Sequence, residues 1–446
     1  MVLHVGIDDT DSPRRMCTTY VATELVARLQ SLQLIGYPRL VRLNPNIPWK
    51  TRGNGALYLR FGSGRGASFP VGMVGDREVA AHERSGPAVP TPELQQICQE
   101  VLLGLSDLED PGSQPALVVT RRRPPPGLYW SAVRDVVPLE DVEDYASQAD
   151  FYIAPKGRRG LVGALAAISW RPRDRTYEVL AYRERERWGS ERSIREEDVM
   201  SLDERFPTTF NNYDFENRHM AVAPRSPCPV LMGIRGDVPG DLPKALMSVQ
   251  SEPVERWMLF ETNQGTDDHL VRRRVRDLKP HVSAILEGVV LERPSFVPGG
   301  HIVFPLDDGD PIDCVAYEPS KAFRRVVHDL RPGDRLRAYG SLRDAPRSLN
   351  LEKLEVLRLS SEVVKVRNPR CPACGRAMKS AGREAGFRCR RCGTRAGVEA
   401  ASFEAVRRRI AEGLYEPPVA ARRHLSKPIK RILASKASQL PALRHS

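Results

Sequence analysis

HVSAILEGVVLERPS (281–295), HIVFPLDD (301–308), PIDCVAY (311–317), DRLRAYGSLR (334–343) and LNLEKLEVLRL (349–359) are five runs with strand-like recurrence of apolar residues. KAFRRVVHDL (321–330), between the third and the fourth, has helical spacing instead. Five strands with one helix after the third is the order of an OB-fold barrel, whose open face commonly takes single-stranded nucleic acid. Aromatic stacking residues are few in this stretch, so a small barrel used only for packing is the competing reading.

C-terminal to the barrel, CPAC and CRRC place Cys371, Cys374, Cys389 and Cys392 as two thiolate pairs separated by fourteen residues. Two such knuckles close tetrahedrally around zinc, and a four-thiolate set leaves no open coordination position, so the expected metal is structural. Arg376, Arg388, Arg390 and Arg391 surround the cysteines and can present cations to phosphate. The other cysteines, Cys17, Cys98, Cys228 and Cys314, are expected to be free thiols, because eight cysteines in 446 residues are too sparse for a disulfide scaffold. Of the net charge of +12, the last 86 residues carry +14 and the first 360 about −2. A basic appendage on a neutral body predicts a polyanionic partner held at one end, most simply nucleic acid.

N-terminal to the barrel the pattern alternates between strand and helix. LHVGID (3–8) reads as a strand, TTYVATELVARLQ (18–30) as a helix, and RLVRLNPNI (39–47) as a strand entering the polar loop PWKTRGNG (48–55). TPELQQICQEVLLGL (91–105) reads as a capped helix and PALVVTRR (115–122) as a strand, with a linker or insertion expected near Pro124–Tyr129. KGRRGLVGALAAISW (156–170) is a basic Gly-rich turn opening a helix, and TYEVLAYRERERW (176–188) is another strand. These segments predict an α/β architecture, followed by a small α+β domain that ends in FETNQGTDDHL (260–270). No apolar run approaches the roughly 18 residues of a membrane span, and MVLHVGIDDTDS begins a strand rather than a signal peptide, so a cytoplasmic protein is expected.

Three segments carry chemistry. GIDDTDS puts Asp8, Asp9 and Asp11 just beyond a strand, where carboxylates collect magnesium bound to triphosphate oxygens, although an Asp-rich turn without a ligand is equally common. Lys156, Gly157, Arg158, Arg159 and Gly160 precede a helix, so cations, backbone N–H groups and the helix N-terminus can converge on phosphate. The GK[ST] ending of a P-loop is absent, and a basic surface turn is the alternative. Lys50, Thr51, Arg52, Gly53, Asn54 and Gly55 offer a similar set, with an amide able to read a base.

GIDDTDS, LVRLNPNIPWKTRGNGA, KGRRGLVGALAAI, FETNQGTDDHL, the OB-like segment and the CxxC ribbon, in this order, strongly resemble the archaeal isoleucine-tRNA 2-agmatinylcytidine synthetases over almost the whole chain. The resemblance implies an ATP-dependent carbon–nitrogen ligase that joins agmatine to carbon 2 of the wobble cytidine of a CAU-anticodon isoleucine tRNA. The product, agmatidine, makes the tRNA read AUA. Implied domains are an atypical kinase-like ATP-binding domain (1–200), a ferredoxin-like agmatine-binding domain (201–275, or beginning earlier), an OB-fold (276–362), a zinc ribbon (363–400) and a basic helical tail (401–446).

On the same footing, Asp8, Asp9 and Asp11 hold magnesium or orient phosphate. Lys156 and Arg158 neutralise charge developing in transfer, and Lys50, Arg52, Gly53, Asn54, Gly157 and Gly160 cradle ATP. The family's phosphate-accepting threonine matches Thr18, with Thr19 adjacent. Agmatine is a dication, so Asp214, Glu261, Asp267 and Asp268 are candidates for meeting it, each with a solvated loop acid as the bland alternative. The OB-fold, the ribbon and the tail anchor the tRNA while the target base leaves its stack. No obligatory protein partner is evident. Two other readings remain open at the level of sequence. One is a noncatalytic OB-fold/zinc-ribbon nucleic-acid binder, which would not need the Asp cluster and two cationic loops. The other is a related ATP-dependent base-modifying enzyme using another amine.

Overall fold

The computed structural model describes residues 2–87, 92–382 and 384–439, so Thr91 of the second expected helix and residues 440–446 of the expected tail lie outside it. Leu3–Asp8 is the hub of a twelve-stranded sheet, antiparallel to Gly55–Gly62 on one side and to Ala116–Thr120 on the other, with Ile7 opposite both Leu57 and Leu117. Its alternate residues divide between two helical layers. Val5 and Ile7 pack with the helices Thr18–Arg28 and Leu94–Gly104. His4, Gly6 and Asp8 face the helix Gly160–Ser169. That helix lies so close that a Cβ on Gly6 would sit 2.3 Å from the Ala164 carbonyl oxygen.

The same sheet continues across residue 200, because the buried strand Thr176–Arg183 pairs antiparallel with Val230–Gly236 and with Val254–Thr262. Arg39–Arg42 joins the halves, antiparallel to Gly55–Gly62 and parallel to the end of Val254–Thr262. Most pairings are antiparallel, so the expected α/β layout of the first part is realised as α+β. Apolar periodicity locates strands and helices but carries no strand direction.

The barrel segment forms Ser283–Val290, His301–Asp307, Pro311–Ala316, Arg335–Asp344 and Arg347–Arg358, with the helix Ala322–His328 after the third strand. Numbered one to five, these strands pair in the closed circuit 1-2-3-5-4-1, with strands three and five parallel. Closure occurs where Gly288 meets the backbone of Asp307, and a Cβ there would lie 2.4 Å from the Asp307 oxygen.

Beyond the barrel, Val363–Arg367 and Ser402–Ala405 pair as a two-stranded stalk exposed along its length. At its tip sits the ribbon, with short strands at Lys379–Ser380, Phe387–Arg388 and Arg395–Ala396. The chain then returns, and Gly413–Tyr415 adds to the fifth barrel strand. Of the expected basic helical tail, the described residues form the α-helix Ile429–Gln439, and residues 416–428, with a single 3-10 turn at Val419–Ala421, form a strap bound to the body. Lys427 and Arg431 reach Asp174 at 2.8 and 2.9 Å, Arg431 reaches Asp237 at 2.7 Å, and Arg423 reaches Glu352 at 2.9 Å. Much of the tail's positive charge is therefore neutralised internally. Among the described residues, no helix is long and apolar enough to cross a membrane.

Candidate active site

The strand Leu3–Asp8 ends at a cavity of about 910 Å³. Asp8, Asp9, Asp11, Thr18, Lys50, Arg52, Gly53, Asn54 and Arg158, nine of the residues singled out in the sequence, line it. Asp9 turns the chain with a positive φ of 58°, and its carboxylate accepts the Gln114 N–H at 3.0 Å and the Arg159 guanidinium at 3.3 Å. Asp11 is held by the Thr51 hydroxyl at 2.9 Å and by Arg52 Nε at 2.6 Å. Asp8 takes a backbone N–H from Asp9, and among the described residues no side chain donates to it. Burial and then the neighbouring Asp9 charge push the Asp8 carboxyl well above the usual carboxylate range, and burial also raises Asp9. A divalent cation would relieve this crowding, but Asp9 and Asp11 are already paired with Arg159 and Arg52, and among the described residues the three carboxylates do not converge as a ready-made metal cluster.

Thr18 is the first residue of the helix Thr18–Arg28, whose N-terminus has no acidic residue in its first turn. The Thr18 hydroxyl accepts from Thr10 at 3.1 Å at the cavity wall, so backbone N–H groups and a hydroxyl meet there. The helix Gly160–Ser169 reaches the same point through Gly163, where a Cβ would lie 1.8 Å from Asp8 Oδ2. We expect Gly163→Ala to displace the Asp8 carboxylate and to lower kcat about 100-fold, as misplacing a reacting group by an ångström does. The accompanying overpacking costs about 1–3 kcal/mol. Steady-state kinetics beside thermal melting separates the two effects.

Thr51, Gly55 and Arg159 line it too, whereas Lys156, Gly157, Gly160, Asp214, Glu261, Asp267 and Asp268 do not. Lys156 Nζ donates to the carbonyls of Leu108 at 2.9 Å and Asp110 at 2.6 Å. Gly157 and Gly160 pack against Gln114, and Arg159 Nη2 binds the Gly112 carbonyl at 2.6 Å. The turn thus braces residues 108–114, and it faces the cavity only through Arg158 and Arg159, of which Arg158 pairs with Glu143 at 2.9 Å. Asn54 donates its amide to the Asn44 carbonyl at 2.8 Å. The four acids chosen for a cationic substrate are internal fasteners. Glu261 binds Arg39 at 2.6 Å and Arg175 at 3.1 Å, and Asp268 accepts from Tyr129 at 2.6 Å. Asp267 binds Lys353 at 2.7 Å and the Lys427 N–H at 2.6 Å. Asp214 accepts the Ala420 N–H at 2.7 Å, fixing a strap residue of the cavity wall.

Several cavity residues escaped the sequence reading. Trp49, 44% exposed, lies at the cavity. Glu178 is the one carboxylate in the fully buried strand Thr176–Arg183, which is the signal that would have found it, and it accepts from Arg235 at 2.9 Å. Arg42 is buried, which lowers its pKa, and its Nε has no hydrogen-bond partner among the described residues. Arg422, Arg423 and His424 arrive from the strap. The Arg42 charge and then burial push the His424 imidazole well below its usual pKa, so it is neutral.

The ribbon is a separate centre. The Sγ atoms of Cys371 and Cys392 are 3.4 Å apart, those of Cys374 and Cys389 3.5 Å, and those of Cys374 and Cys392 3.7 Å. Zinc–sulfur bonds of about 2.3 Å in a tetrahedron require sulfurs about 3.8 Å apart, so the donor set fits zinc. Besides two of these cysteines, only Met378, Phe387 and Ala401 form its buried core among the described residues. Chelation of the metal should therefore unfold residues 368–400 and leave the barrel intact, read as lost amide-exchange protection confined to the ribbon.

Fold and cavity together define an enzyme with an anion-handling acidic centre, to which a barrel and a metal ribbon are appended. Residues 4–156 match the TiaS TCKD domain, 158–269 the TiaS FLD domain and 368–410 the TiaS C-terminal zinc ribbon domain. The isoleucine-tRNA 2-agmatinylcytidine synthetase TiaS of Methanocaldococcus jannaschii is 38% identical over 443 residues, covering 97% of this chain and 99% of that protein. The crystal structure of TiaS in complex with an isoleucine tRNA and ATP superposes with a TM-score of 0.82 at 38% identity, covering 97% of each chain. That of TiaS in complex with an isoleucine tRNA, AMPCPP and agmatine superposes with a TM-score of 0.79 at 36% identity, again covering 97% of each. The chain belongs to the isoleucine-tRNA 2-agmatinylcytidine synthetase family.

Proposed function

We propose that this protein uses ATP to join agmatine to carbon 2 of the wobble cytidine of CAU-anticodon isoleucine tRNA. The observation that carries the reading is the convergence of three groups on one cavity: the carboxylates of Asp8, Asp9 and Asp11, the helix N-terminus with Thr18, and the cations Arg52, Arg158 and Arg159. Cytosine O2 cannot leave as oxide, so it must become a phosphate-type leaving group before an amine attacks carbon 2. Magnesium on the Asp8 cluster would supply charge neutralisation at the phosphate oxygens. Around it, Arg52 fixes Asp11 and Arg159 fixes Asp9, so the carboxylates are oriented before substrate arrives.

Agmatine needs a carboxylate open to the cavity, and we assign Asp135, in its wall, to one cationic end; Glu178 also lines the wall but is already held by Arg235 and Gln264. Asp214, Asp267, Asp268 and Glu261 then act by holding the wall in place. Trp49 offers a ring on which the extruded cytosine stacks. The barrel has the strand circuit of an OB-fold, and with the ribbon it anchors the tRNA. We assign kinase-like character to the first domain, ferredoxin-like character to the second, and the cytoplasm as the place of action.

The test is to incubate the purified protein with ATP, magnesium, labelled agmatine and the CAU-anticodon tRNA, then digest and weigh the nucleosides. Label at the wobble cytidine is expected. Its absence, with intact tRNA binding, defeats the assignment.

A further inference from the structure

At the opposite end of the strand Leu3–Asp8 from the acidic centre, a cluster of cations has no role in the site described above. His4 lies directly across the sheet from Arg60, and Tyr58, two residues before Arg60 on the same strand, lies across from Arg39. Arg39 and Arg123 sit over the Tyr58 ring, 5.5 and 5.2 Å from its centroid, and Arg171 follows the helix that covers this face. Four residues of strand separate His4 from Asp8, about 13 Å at 3.3 Å each, so this cluster and the acidic centre are distinct places.

Most of these cations have internal partners. Arg39 and Arg175 share Glu261. Arg123 donates to the carbonyls of Ile168 at 3.0 Å and Trp170 at 2.8 Å, and Arg171 donates to those of Ile168 at 3.2 Å and Ser169 at 2.6 Å. Those two guanidinia cap the negative end of the helix Gly160–Ser169, which is a structural role. Arg60 differs. Among the described residues its side chain makes no ion pair or hydrogen bond, its Nε is buried without a partner, and its Nη2 stands where a Cβ on Gly36 would be, 2.1 Å away. Burial and then the Arg39 charge lower its pKa. His4 is driven down to about 3, by burial first and then by Arg123, Arg60, Arg171 and Arg39, so it adds no charge. Glu261 is the one carboxylate among the groups that act on Arg60, and it already serves two other arginines.

A half-buried guanidinium among like charges, with its Nε buried without an acceptor and its terminal nitrogens unpaired among the described residues, is an arrangement that an oxyanion would satisfy. We propose that Arg60, flanked by Arg123 and Arg171, binds a phosphate oxyanion at this face. Two sources share that chemistry: a backbone phosphodiester of the bound RNA, or a free phosphate or pyrophosphate. The RNA source rests on the function proposed above and would add a second grip on the tRNA, remote from the reacting base.

The test uses the full chain with Arg60→Glu, Arg171→Glu and Arg60→Lys. Binding of the CAU-anticodon tRNA is measured between about 50 and 200 mM salt, and melting is measured with and without inorganic phosphate or pyrophosphate. With RNA as the source, both Glu variants weaken tRNA binding about tenfold at low salt and reduce the slope of log K against log salt by about one, while ATP affinity is unchanged. Arg60→Lys restores most of the loss. With a free anion as the source, the slope is unchanged, but phosphate or pyrophosphate raises the melting temperature of the wild type and not of the Glu variants; this also supports the site. If both Glu variants match the wild type in slope and in anion-dependent melting, the proposal is overturned. Arg171→Glu keeps the test valid should Arg60→Glu fail to fold. A wild type that binds no tRNA yet shows Arg60-dependent anion stabilisation would sink the proposed function and leave this site standing.

Discussion

Asp8→Asn should slow modification by about two to three orders of magnitude while making the ligand-free protein more stable at neutral pH. The carboxyl of Asp8 is raised by burial and by the adjacent charge of Asp9, so the folded state holds its proton more tightly than the unfolded chain does. For a group raised in the folded state, stability is greatest below the unfolded value and falls as pH climbs toward the folded one. At neutral pH the ligand-free wild type therefore carries an unfavourable term that asparagine removes with almost no change in shape. Thermal melting across the acidic-to-neutral range should show the wild type losing stability as pH rises and the variant losing less. Activity moves the other way. If Asp8 holds the magnesium that would neutralise a transferring phosphoryl group, its replacement should remove about 10²–10³-fold in kcat. A variant equally active, or one less stable at neutral pH, would show that Asp8 is an ordinary buried acid.

Truncation after Tyr415 should stop modification and leave tRNA binding largely in place. The strap after the last barrel strand supplies Val419, Ala420, Arg422, Arg423 and His424 to the cavity wall. It is fixed at many points: the Gly265 N–H donates to the His424 carbonyl and the Asp267 N–H to the Leu425 carbonyl, each at 2.8 Å, and Arg422 reaches Asn211 at 2.8 Å. Without it, Asp214, Asp267 and Glu352 lose partners, and the cavity loses a wall. The expected signature is a collapse of kcat and of ATP affinity with the tRNA dissociation constant changed by only a few fold, because barrel and ribbon persist. Arg423→Ala is the milder companion. Arg423 joins Glu352 of the barrel, where His269 also binds at 2.9 Å, to the Pro45 carbonyl at 3.1 Å beside the loop of Lys50. Its loss should cost about 1–3 kcal/mol and reduce kcat more than it raises KM. If truncation mainly weakened tRNA binding and spared ATP affinity, the strap would be a tail for RNA after all.

What the sequence disclosed followed from how local each signal is. The barrel's strand order and the thiolate pairs are written in spacings of a few residues, and both are present in the structure. The Asp8–Asp11 turn was visible as three acids within four residues beyond a strand, but such turns are equally common without a ligand, and only the cavity around it singles it out. The roles of Asp214, Glu261, Asp267 and Asp268 were not visible, because a carboxylate looks the same whether open or paired. Their partners lie far along the chain: Arg39 is 222 residues from Glu261, and Ala420 is 206 from Asp214. The same blindness made the strap look like a free basic tail, since Lys427 and Arg431 read as surplus charge until Asp174 and Asp237 stand beside them. Lys156 was credited to phosphate for a similar reason: a lysine before a helix gives no sign of the Leu108 and Asp110 carbonyls that hold it.

The position of the strap also sets when the molecule becomes competent during its own synthesis. The strand with the acidic turn leaves the ribosome before the strap does, and domains fold as they emerge. The residues that close the cavity are 419–424 of 446, and the ribbon is made before them. A nascent chain can therefore assemble its barrel and load its metal while the reaction chamber is still open on one side. A translation product that stops short of the strap lacks this wall of the cavity, so it is expected to be inactive.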